Sequence, residues 1–370
     1  MNSNAMMNRK TSGVLDASRE NNFNMLRLIA AVFVFTGHMS VILSAYQPLM
    51  GGFPLQEAGV MMLFMISGYL ITMSWLSDPN LLRFGVRRFL RLWPPFAVMV
   101  LIMTFVAGPL VSELGVQGYF QSEYFVYLRN LFFRITYFQP GVFTNVPVAN
   151  TTNGSIWTMP IEALFYVLTP ILLMLLRGKG HSRHSFHGMA VLTGAAVIFD
   201  FCLRLSGVEK VIFIGTDWVS VCHLLIPYLI GMLFTYEEVR KYLKLQVGCA
   251  LMSLLLIFQV LYAPLQYLMM YLIFPYFVFS FAFAPTAVFK NFGKKTDLSY
   301  GIYLYGFFFQ QLITSLQLRY GFSLGEVLTF LISLLLTAAA AWLSWHLVEK
   351  PVQKSSRRLI RRLKSVNGKI

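Results

Sequence analysis

The sequence predicts an all-α integral membrane protein with about ten transmembrane helices and both termini in the cytoplasm. Of the 370 residues, 57% are hydrophobic and only 12% are charged, whereas about a quarter of the residues in soluble domains are charged. The apolar residues form runs of about 17 to 25 residues, the length that crosses a bilayer. Lysine and arginine are concentrated in alternate connections between these runs, as expected of a chain that crosses the membrane repeatedly.

Each predicted span is an apolar run long enough to cross the hydrocarbon core. The spans are residues 25–46, 56–76, 90–111, 155–176, 189–206, 217–236, 246–262, 266–289, 298–318 and 325–347. No small-residue cleavage site follows the first run at the distance of a signal peptide, so we expect that run to remain as a helix. The predicted organisation is an N-terminal tail at 1–24, a membrane domain at 25–347 and a basic C-terminal tail at 348–370.

Positive charge decides on which side of the membrane each connection lies. The connections and tails assigned to the cytoplasm contain Arg9, Lys10, Arg19, Arg83, Arg87, Arg88, Arg177, Lys179, Arg183, Arg240, Lys241, Lys244, Lys290, Lys294, Lys295 and a basic run after residue 348. The opposite connections carry only Arg129, Arg134, Lys210 and Arg319. An even number of spans places both termini on the same side of the membrane. The positive charges place both termini in the cytoplasm, so the charge pattern and the number of spans agree.

One extracytoplasmic connection, residues 112–154, is long and rich in tyrosine and phenylalanine. A connection of this length is usually functional or has structure of its own, and we expect an interfacial helix within it. Anchoring at the membrane interface would explain this composition.

The charge and cysteine patterns argue against two other classes of site. A net charge of +15 would suit nucleic acid only if basic residues covered a soluble face, and here they lie between apolar runs. Cys202, Cys222 and Cys249 lie in apolar stretches without CxxC spacing. We therefore expect neither a disulfide framework nor a metal site.

The stretch RLIAAVFVFTGH places two ionisable residues, Arg27 and His38, in the first span. Eleven residues of helix make three turns plus about 20°, so the two side chains share a face and lie about 16 Å apart along the axis. Ionisable residues inside a membrane are costly and mostly functional, so His38 is a candidate catalytic residue. The structural alternatives are a snorkelling anchor for Arg27 and a hydrogen-bonding partner in a neighbouring helix for His38.

The stretch GSIWTMPIEALFY opens the fourth span and places Glu162 about 10 Å below its outer end. His38 lies about 12 Å below the outer end of its own span, so the two side chains are predicted to meet. A histidine held by a carboxylate can act as a general base for a hydroxyl group. A structural ion pair is the alternative, and His223 is a reserve partner at comparable depth. Asp200 and Arg204 are four residues apart and are predicted to form a structural salt bridge.

The connection LLRFGVRRFLRLWPP places Arg83, Arg87, Arg88 and Arg91 at the cytoplasmic mouth of the second and third spans. Guanidinium groups bind phosphates in bidentate fashion. Membrane topology and contact with lipid headgroups would explain the same cluster.

In this order, the motifs make the sequence similar to acyltransferase family 3, whose members move acyl groups, usually acetyl, onto extracytoplasmic carbohydrates. The resemblance runs from Arg27 to about Pro351. The matches are Arg27 and His38 in R-x10-H; Phe64, Ser67, Gly68 and Tyr69 in F-x-x-S-G-aromatic; Arg88 and Arg91 in R-x-x-R; Trp157, Glu162 and Tyr166 in W-S-x-x-x-E-x-x-x-Y; Ser299, Tyr300 and Tyr303 in S-Y-x-x-Y-L-x-H; and Glu349, Lys350 and Pro351 in E-K-P. Thr158 replaces the serine of the fourth pattern and Gly306 the histidine of the fifth.

The resemblance implies a multi-pass membrane O-acyltransferase of the plasma or inner membrane, with acetyl-CoA as donor and a lipid-linked or surface glycan as acceptor. His38 and Glu162 are then catalytic, and Arg27, Arg88 and Arg91 bind the donor phosphates. Ser67, Trp157, Tyr166, Tyr300 and Tyr303 are supporting residues. His38 either activates the acceptor hydroxyl or itself carries the acyl group. Gly306 at the late histidine position leaves His38 as the expected catalytic histidine.

A transporter of a glycan-linked or anionic solute is the alternative function. Transporters are commonly built from repeats with broken helices at corresponding positions. Pro227 and Pro275 do not pair with earlier counterparts in this sequence, so the enzyme is preferred.

Overall fold

The computed structural model describes residues 21–177, 183–208, 210–213, 215–257, 263–284, 289 and 291–367. Arg9, Lys10, Arg19, Lys179 and Lys290, which contribute to the predicted orientation, lie outside these ranges. The helices are α1 Phe23–Ile42, α2 Leu55–Ser77, α3 Leu81–Ile102, α4 Gly108–Val111, α5 Gly115–Phe120, α6 Met159–Arg177, α7 Arg183–Leu205, α8 Trp218–Leu233, α9 Glu237–Arg240, α10 Leu245–Ile257, α11 Ala263–Ala282, α12 Ser299–Tyr320, α13 Gly325–Ser344 and α14 Lys350–Asn367.

Two short hairpins and four irregular helical segments complete the described structure. Strands β1 (Leu49–Met50) and β2 (Phe53–Pro54) are antiparallel, as are β3 (Ile212–Phe213) and β4 (Thr216–Asp217). The irregular segments are π-helices at Met103–Ala107 and Trp345–Glu349 and 3₁₀-helices at Tyr124–Phe132 and Gly154–Thr158. The predicted all-α class is therefore confirmed.

A helix occupies the position of each of the ten predicted spans. Among the described residues, seven helical segments are long and apolar enough to cross a membrane. Helices α8 and α10 are apolar but shorter, and residues 258–262 after α10 lie outside the description. Helix α12 is 22 residues long but carries glutamines and tyrosines, and the polar residues lower its hydropathy.

The connection at 112–154 folds back along α3 and contains two short helices, α5 and the 3₁₀-helix Tyr124–Phe132; that one of them lies at the membrane interface stays a prediction. The Tyr119 hydroxyl donates to the Thr104 carbonyl at 3.0 Å, and the Trp93 indole donates to the Leu131 carbonyl at 3.0 Å. These two positions on the α3 segment are eleven residues apart, about 16 Å along a helix. Irregular backbone at membrane depth needs hydrogen-bond partners within the protein. The buried Asn130 side-chain amide makes three hydrogen bonds to the backbone and so stabilises this connection.

Helices α2 and α8 approach closely through glycine. A Cβ atom on Gly68 would lie 2.1 Å from the Tyr228 carbonyl oxygen, and one on Gly231 would lie 2.1 Å from the Met65 carbonyl oxygen. Small residues let helix backbones approach in this way inside membranes. Gly68, part of the F-x-x-S-G-aromatic pattern, is thus required by packing, and it leaves Ser67 beside the candidate active site.

Replacing Gly231 by alanine is expected to lower the free energy of unfolding by about 1–3 kcal/mol, the usual cost of overpacking. Gly85→Ala is the matched control, because a Cβ atom there would meet nothing within 4 Å and alanine favours the helix by about 1 kcal/mol. SDS-induced unfolding in mixed micelles measures both. Equal stability of the two variants would contradict the close approach of α2 and α8.

Candidate active site

A first pocket among the described residues lies between α1, α2, α6 and α12. Its polar lining is Arg27, Ser67, Thr158, Glu162, Ser299, Tyr300 and Tyr303. Five of these are residues singled out by the sequence motifs as catalytic, donor-binding or supporting. The fold therefore gathers side chains from four distant parts of the chain around one cavity.

A second, smaller pocket contains His38. It is lined by Ala31, Val34, Phe35, His38, Ser155, Ile302, Tyr303, Gly306, Phe307 and Gln310. The His38 ring packs edge-to-face on Phe307, with the ring centroids 5.2 Å apart. No described residue forms a hydrogen bond with the His38 imidazole, so both ring nitrogens are free for a ligand.

The two pockets follow one another along α1 and α12. From Arg27 to His38 on α1, and from Ser299 to Gln310 on α12, the distance is about 16 Å at 1.5 Å per residue. Tyr303 lines both pockets, and its hydroxyl and that of Thr158 are 2.6 Å apart and hydrogen-bonded. This pair of side chains forms the boundary between the cavities.

The 3₁₀-helix Gly154–Thr158 is held against α12 by side chain to backbone hydrogen bonds. Asn153 caps this segment and donates to the Leu304 carbonyl at 2.7 Å, and the Ser155 hydroxyl donates to the Tyr303 carbonyl at 3.0 Å. These bonds set the height at which α6 begins. Glu162 therefore enters the first pocket one turn below Thr158.

Asp297 joins two of the predicted donor-binding arginines at the Arg27 end of the first pocket. Its Oδ2 atom lies 2.8 Å from Arg27 and 3.8 Å from Arg91, while Ser299 donates to Oδ1 through its backbone N–H and its hydroxyl. Although burial raises the pKa of this carboxyl, Arg27 and Arg91 lower it to about 2. Asp297 was missed from the sequence, where its one signal is its place two residues before the Ser299–Tyr300 motif.

The other arginines of this region divide into two groups. Arg83 and Arg87 bind Asp78 at 2.6 and 2.7 Å, and the Arg83 hydrogen bonds lead in holding the pKa of that carboxyl well below its usual range. Arg88 instead donates to the Ser74 hydroxyl at 3.2 Å and lies 5.8 Å from the centre of the Tyr166 ring. Arg88 thus has no carboxylate partner among the described residues, and it lies beside Tyr166, the residue that binds Glu162.

Glu162 is hydrogen-bonded by the Tyr166 hydroxyl, one turn further along α6. No hydrogen bond or ion pair joins Glu162 to His38 among the described residues, and each side chain lines its own pocket. The expected hydrogen bond between them is therefore absent among the described residues, and the side chain of Tyr303 lines both pockets. The catalytic roles of both residues stay predictions.

The remaining predicted residues have packing or hydrogen-bonding roles. The Tyr300 hydroxyl donates to the Leu92 carbonyl at 2.9 Å, and Trp157 packs against the larger apolar core without lining either pocket. A Cβ atom on Gly306 would lie 2.9 Å from the Phe35 ring. Phe35 therefore occupies the space that a larger side chain at position 306 would need.

The predicted salt bridge between Asp200 and Arg204 is confirmed, with 2.9 Å between the Arg204 Nε and Asp200 Oδ2 atoms. His223, the reserve partner for the active site, pairs with Asp200 instead. This second group of polar residues lies outside both pockets.

Comparison with known proteins identifies the family. The profile of the family described as "Acyltransferase domain" matches residues 20–346. The chain belongs to this acyltransferase family. It is therefore an acyltransferase enzyme, and a multi-pass protein of the cell membrane like the other members. No solved structure matches the chain.

Among curated proteins, the acyltransferase is 26% identical to "O-acetyl transferase" of Shigella phage Sf6, over 90% of this chain and 96% of the relative. It is also 26% identical to "Nodulation protein 10" of Rhizobium leguminosarum bv. viciae, over 95% of this chain and 98% of the relative. "O-acetyltransferase OatA" of Staphylococcus aureus is 24% identical over 89% of this chain, which spans 56% of that longer protein.

Substituting Asp297 by asparagine in the acyltransferase is expected to lower stability by about 3 kcal/mol, because it leaves two neighbouring guanidinium groups without their carboxylate. The folded-state pKa of about 2 is below the unfolded value, so the ion pairs contribute fully above about pH 4 and are lost only as the pH falls through 2. The stability difference from wild type is therefore expected to stay constant from pH 5 to 9 in SDS-induced unfolding. Glu123→Gln, at an exposed carboxylate, is the control, and an equal effect of both substitutions would contradict this assignment.

Proposed function

We propose that this acyltransferase moves an acetyl group from acetyl-CoA to a hydroxyl group of an extracytoplasmic or lipid-linked polysaccharide of the cell envelope. The observation that carries the proposal is the arrangement of two pockets in series along α1 and α12, with Arg27 at one end and His38 at the other. A donor that is anionic at one end and reactive at the other suits such a series.

The names of two relatives support the acetyl group. The Shigella phage protein is named an O-acetyl transferase and the staphylococcal protein an O-acetyltransferase. The transporter alternative receives no support from the comparisons, whereas the family match favours group transfer.

We further propose ten spans with both termini in the cytoplasm, the organisation of an N-terminal tail at 1–24, a membrane domain at 25–347 and a basic tail at 348–370. Helices at all ten predicted positions support the count. The concentration of lysine and arginine in alternate connections supports the orientation. In this orientation Arg27, Arg88 and Arg91 are near the cytoplasm and His38 is near the outer face.

The donor phosphates are proposed to bind at the Arg27, Arg88 and Arg91 guanidinium groups. Arg83 and Arg87 are engaged by Asp78, and Arg27 is paired with Asp297 at 2.8 Å. Arg88 has no carboxylate partner among the described residues and Arg91 lies 3.8 Å from Asp297, so these two have the most freedom to bind phosphate. Arg27 would contribute the N–H groups that Asp297 leaves free. Bidentate charge-assisted hydrogen bonds suit phosphate oxygens. The pantetheine arm then extends through the first pocket, past Ser67, Tyr300 and Tyr303, toward His38.

In the proposed reaction His38 takes the proton of the acceptor hydroxyl as the oxygen attacks the thioester carbonyl carbon. The carbon–sulfur bond breaks, the proton passes to the departing sulfur, and an O-acetyl ester and the CoA thiol leave. In the covalent route a His38 ring nitrogen attacks the thioester carbon, the carbon–sulfur bond breaks, and the CoA thiol leaves with the imidazole proton. The acceptor hydroxyl then attacks the acetyl carbon, the carbon–nitrogen bond breaks, and the hydroxyl proton returns to the imidazole. Glu162, held by Tyr166 and near the Arg91 guanidinium, supplies negative charge beside the path. Transfer across the boundary requires Tyr303 or Thr158 to move.

Removing the His38 side chain is expected to reduce acetyl transfer at least about 100-fold, the usual contribution of a general base. Purified protein in nanodiscs would receive radiolabelled acetyl-CoA and envelope polysaccharide from a strain in which the gene is deleted. His346→Ala is the control, because that side chain contacts Trp342 outside both pockets. Label retained on wild-type protein without acceptor indicates the covalent route, and equal transfer by His38→Ala would remove His38 from the mechanism.

The donor phosphate contact can be tested with a pair of donors. Arg88→Gln is expected to raise the KM for acetyl-CoA about tenfold, equivalent to about 1.4 kcal/mol for a lost charged hydrogen bond. Acetyl-dephospho-CoA, which lacks the 3′-phosphate, should bind wild type more weakly. If Arg88 contacts that phosphate, the variant should discriminate less between the two donors. Arg357→Gln on the exposed side of α14 is the control, and equal discrimination by all three proteins would exclude this contact.

A further inference from the structure

A second polar cluster lies outside the two pockets, where α2, α7, α8 and α11 meet. It consists of Glu57, Asp200, Arg204, His223, Tyr267 and Tyr271 and is called the Asp200 cluster below. The Asp200 side chain is only 2% exposed. It accepts hydrogen bonds from Arg204 at 2.9 Å and Tyr271 at 3.1 Å and pairs with His223 Nδ1. Ionisable groups inside a membrane domain are costly and usually mark a function.

Asp200 orients the His223 imidazole. A carboxylate only accepts hydrogen bonds, so the paired Nδ1 atom carries the proton, and in the neutral ring the Nε2 atom is then a free acceptor. No described residue hydrogen-bonds Nε2. The His223 side chain is 25% exposed, in contrast to the buried Asp200. The His223 Nε2 atom is thus an oriented hydrogen-bond acceptor at the surface of the cluster.

Glu57 supplies a second acceptor at the opening of the cluster. It is exposed in the first turn of α2, where the Tyr267 hydroxyl donates to one of its oxygens at 3.4 Å. The Arg204 guanidinium covers the Tyr267 ring at 3.2 Å from the ring centre. Asp200 and Glu57 carry two negative charges against one on Arg204, so the cluster disfavours phosphate and other anions when His223 is neutral. Exposed acceptors beside a donor-rich guanidinium suit the hydroxyl groups of a neutral saccharide.

The Asp200 cluster lies close to the His38 pocket through the contact of α1 with α2. A Cβ atom on Gly37 would lie 2.6 Å from the backbone nitrogen of Gln56. Gly37 directly precedes His38, and Gln56 directly precedes Glu57. Consecutive Cα atoms are about 3.8 Å apart, so the backbones of His38 and Glu57 are near neighbours. A ligand of several sugar units is long enough to extend from one to the other.

We propose that the Asp200 cluster is an acceptor subsite that binds a saccharide unit adjacent to the one that is acetylated. The His223 Nε2 atom and the Glu57 carboxylate accept hydrogen bonds from its hydroxyl groups, and Asp200 holds the imidazole in the required orientation. This inference rests on the proposed function, since it assigns a second contact with the same acceptor.

The test measures saccharide binding separately from acetyl transfer. Fluorescently labelled fragments of the polysaccharide from the deletion strain would be titrated onto full-length protein in nanodiscs. His223→Asn keeps a donor near the Nδ1 position and removes Nε2, and Glu57→Ala removes the exposed carboxylate. Each variant is expected to weaken fragment binding about tenfold, equivalent to one lost hydrogen bond, with acetyl-CoA binding and the unfolding midpoint unchanged. Glu326→Ala, at another exposed carboxylate, is expected to bind as wild type.

Equal fragment binding by wild type and both variants would overturn the subsite, as would no binding by wild type. If His223→Asn binds fragments more weakly but also has a lower unfolding midpoint, and Glu57→Ala binds as wild type, the subsite is overturned. The cluster would then have only a structural role, holding α2, α7, α8 and α11 together. Binding that depends on His223 and Glu57 in a protein that transfers no acetyl group would support the subsite and overturn the proposed transfer. Acetyl transfer by a protein whose fragment binding does not depend on His223 or Glu57 would support the proposed function and overturn the subsite.

Discussion

The candidate active site depends on the carboxylate of Asp297. Arg27 on α1 and Arg91 on α3 place two positive charges at one end of the first pocket, and Asp297 lies between them. Without a shared counter-ion these guanidinium groups would repel each other. Ser299 fixes the carboxylate from the first turn of α12. One side chain thus joins three helices and sets where α12, with Tyr300 and Tyr303, begins.

Buried aspartates organise arginines in two other places. Asp78 holds Arg83 and Arg87 between α2 and α3, and Asp200 holds Arg204 beside α8 and α11. The chain has 30 lysines and arginines but only 15 aspartates and glutamates, so there are two basic residues for each acidic one. The placement of these few carboxylates determines which arginines are held in ion pairs. Arg27 and Arg91 share Asp297, whereas Arg88 has no carboxylate partner among the described residues.

Periodicity and charge were sufficient to predict the helices, because an apolar run of membrane length has few alternatives to a helix. The Asp200–Arg204 pair was predicted because its partners are one turn apart. The Arg27–Asp297 pair was not, because its partners are 270 residues apart in the chain and only tertiary packing brings them together. The expected contact between His38 and Glu162 rested on equal depth in the membrane. Depth is one coordinate of three, and the structure places the two side chains in different pockets.

The hydroxyl group of Tyr303, which lines both pockets, has a structural role. A phenylalanine at position 303 would fill nearly the same space but leave the buried Thr158 hydroxyl without its partner, at a cost of about 1–3 kcal/mol. The hydrogen bond therefore stabilises the closed boundary, but only by the modest amount that one neutral hydrogen bond contributes. A thioester in the first pocket is then kept apart from hydroxyl groups, including water, in the second. On the proposed function, opening this boundary only when an acceptor is present would favour transfer over hydrolysis, since a saccharide hydroxyl can replace the partner that Tyr303 gives up.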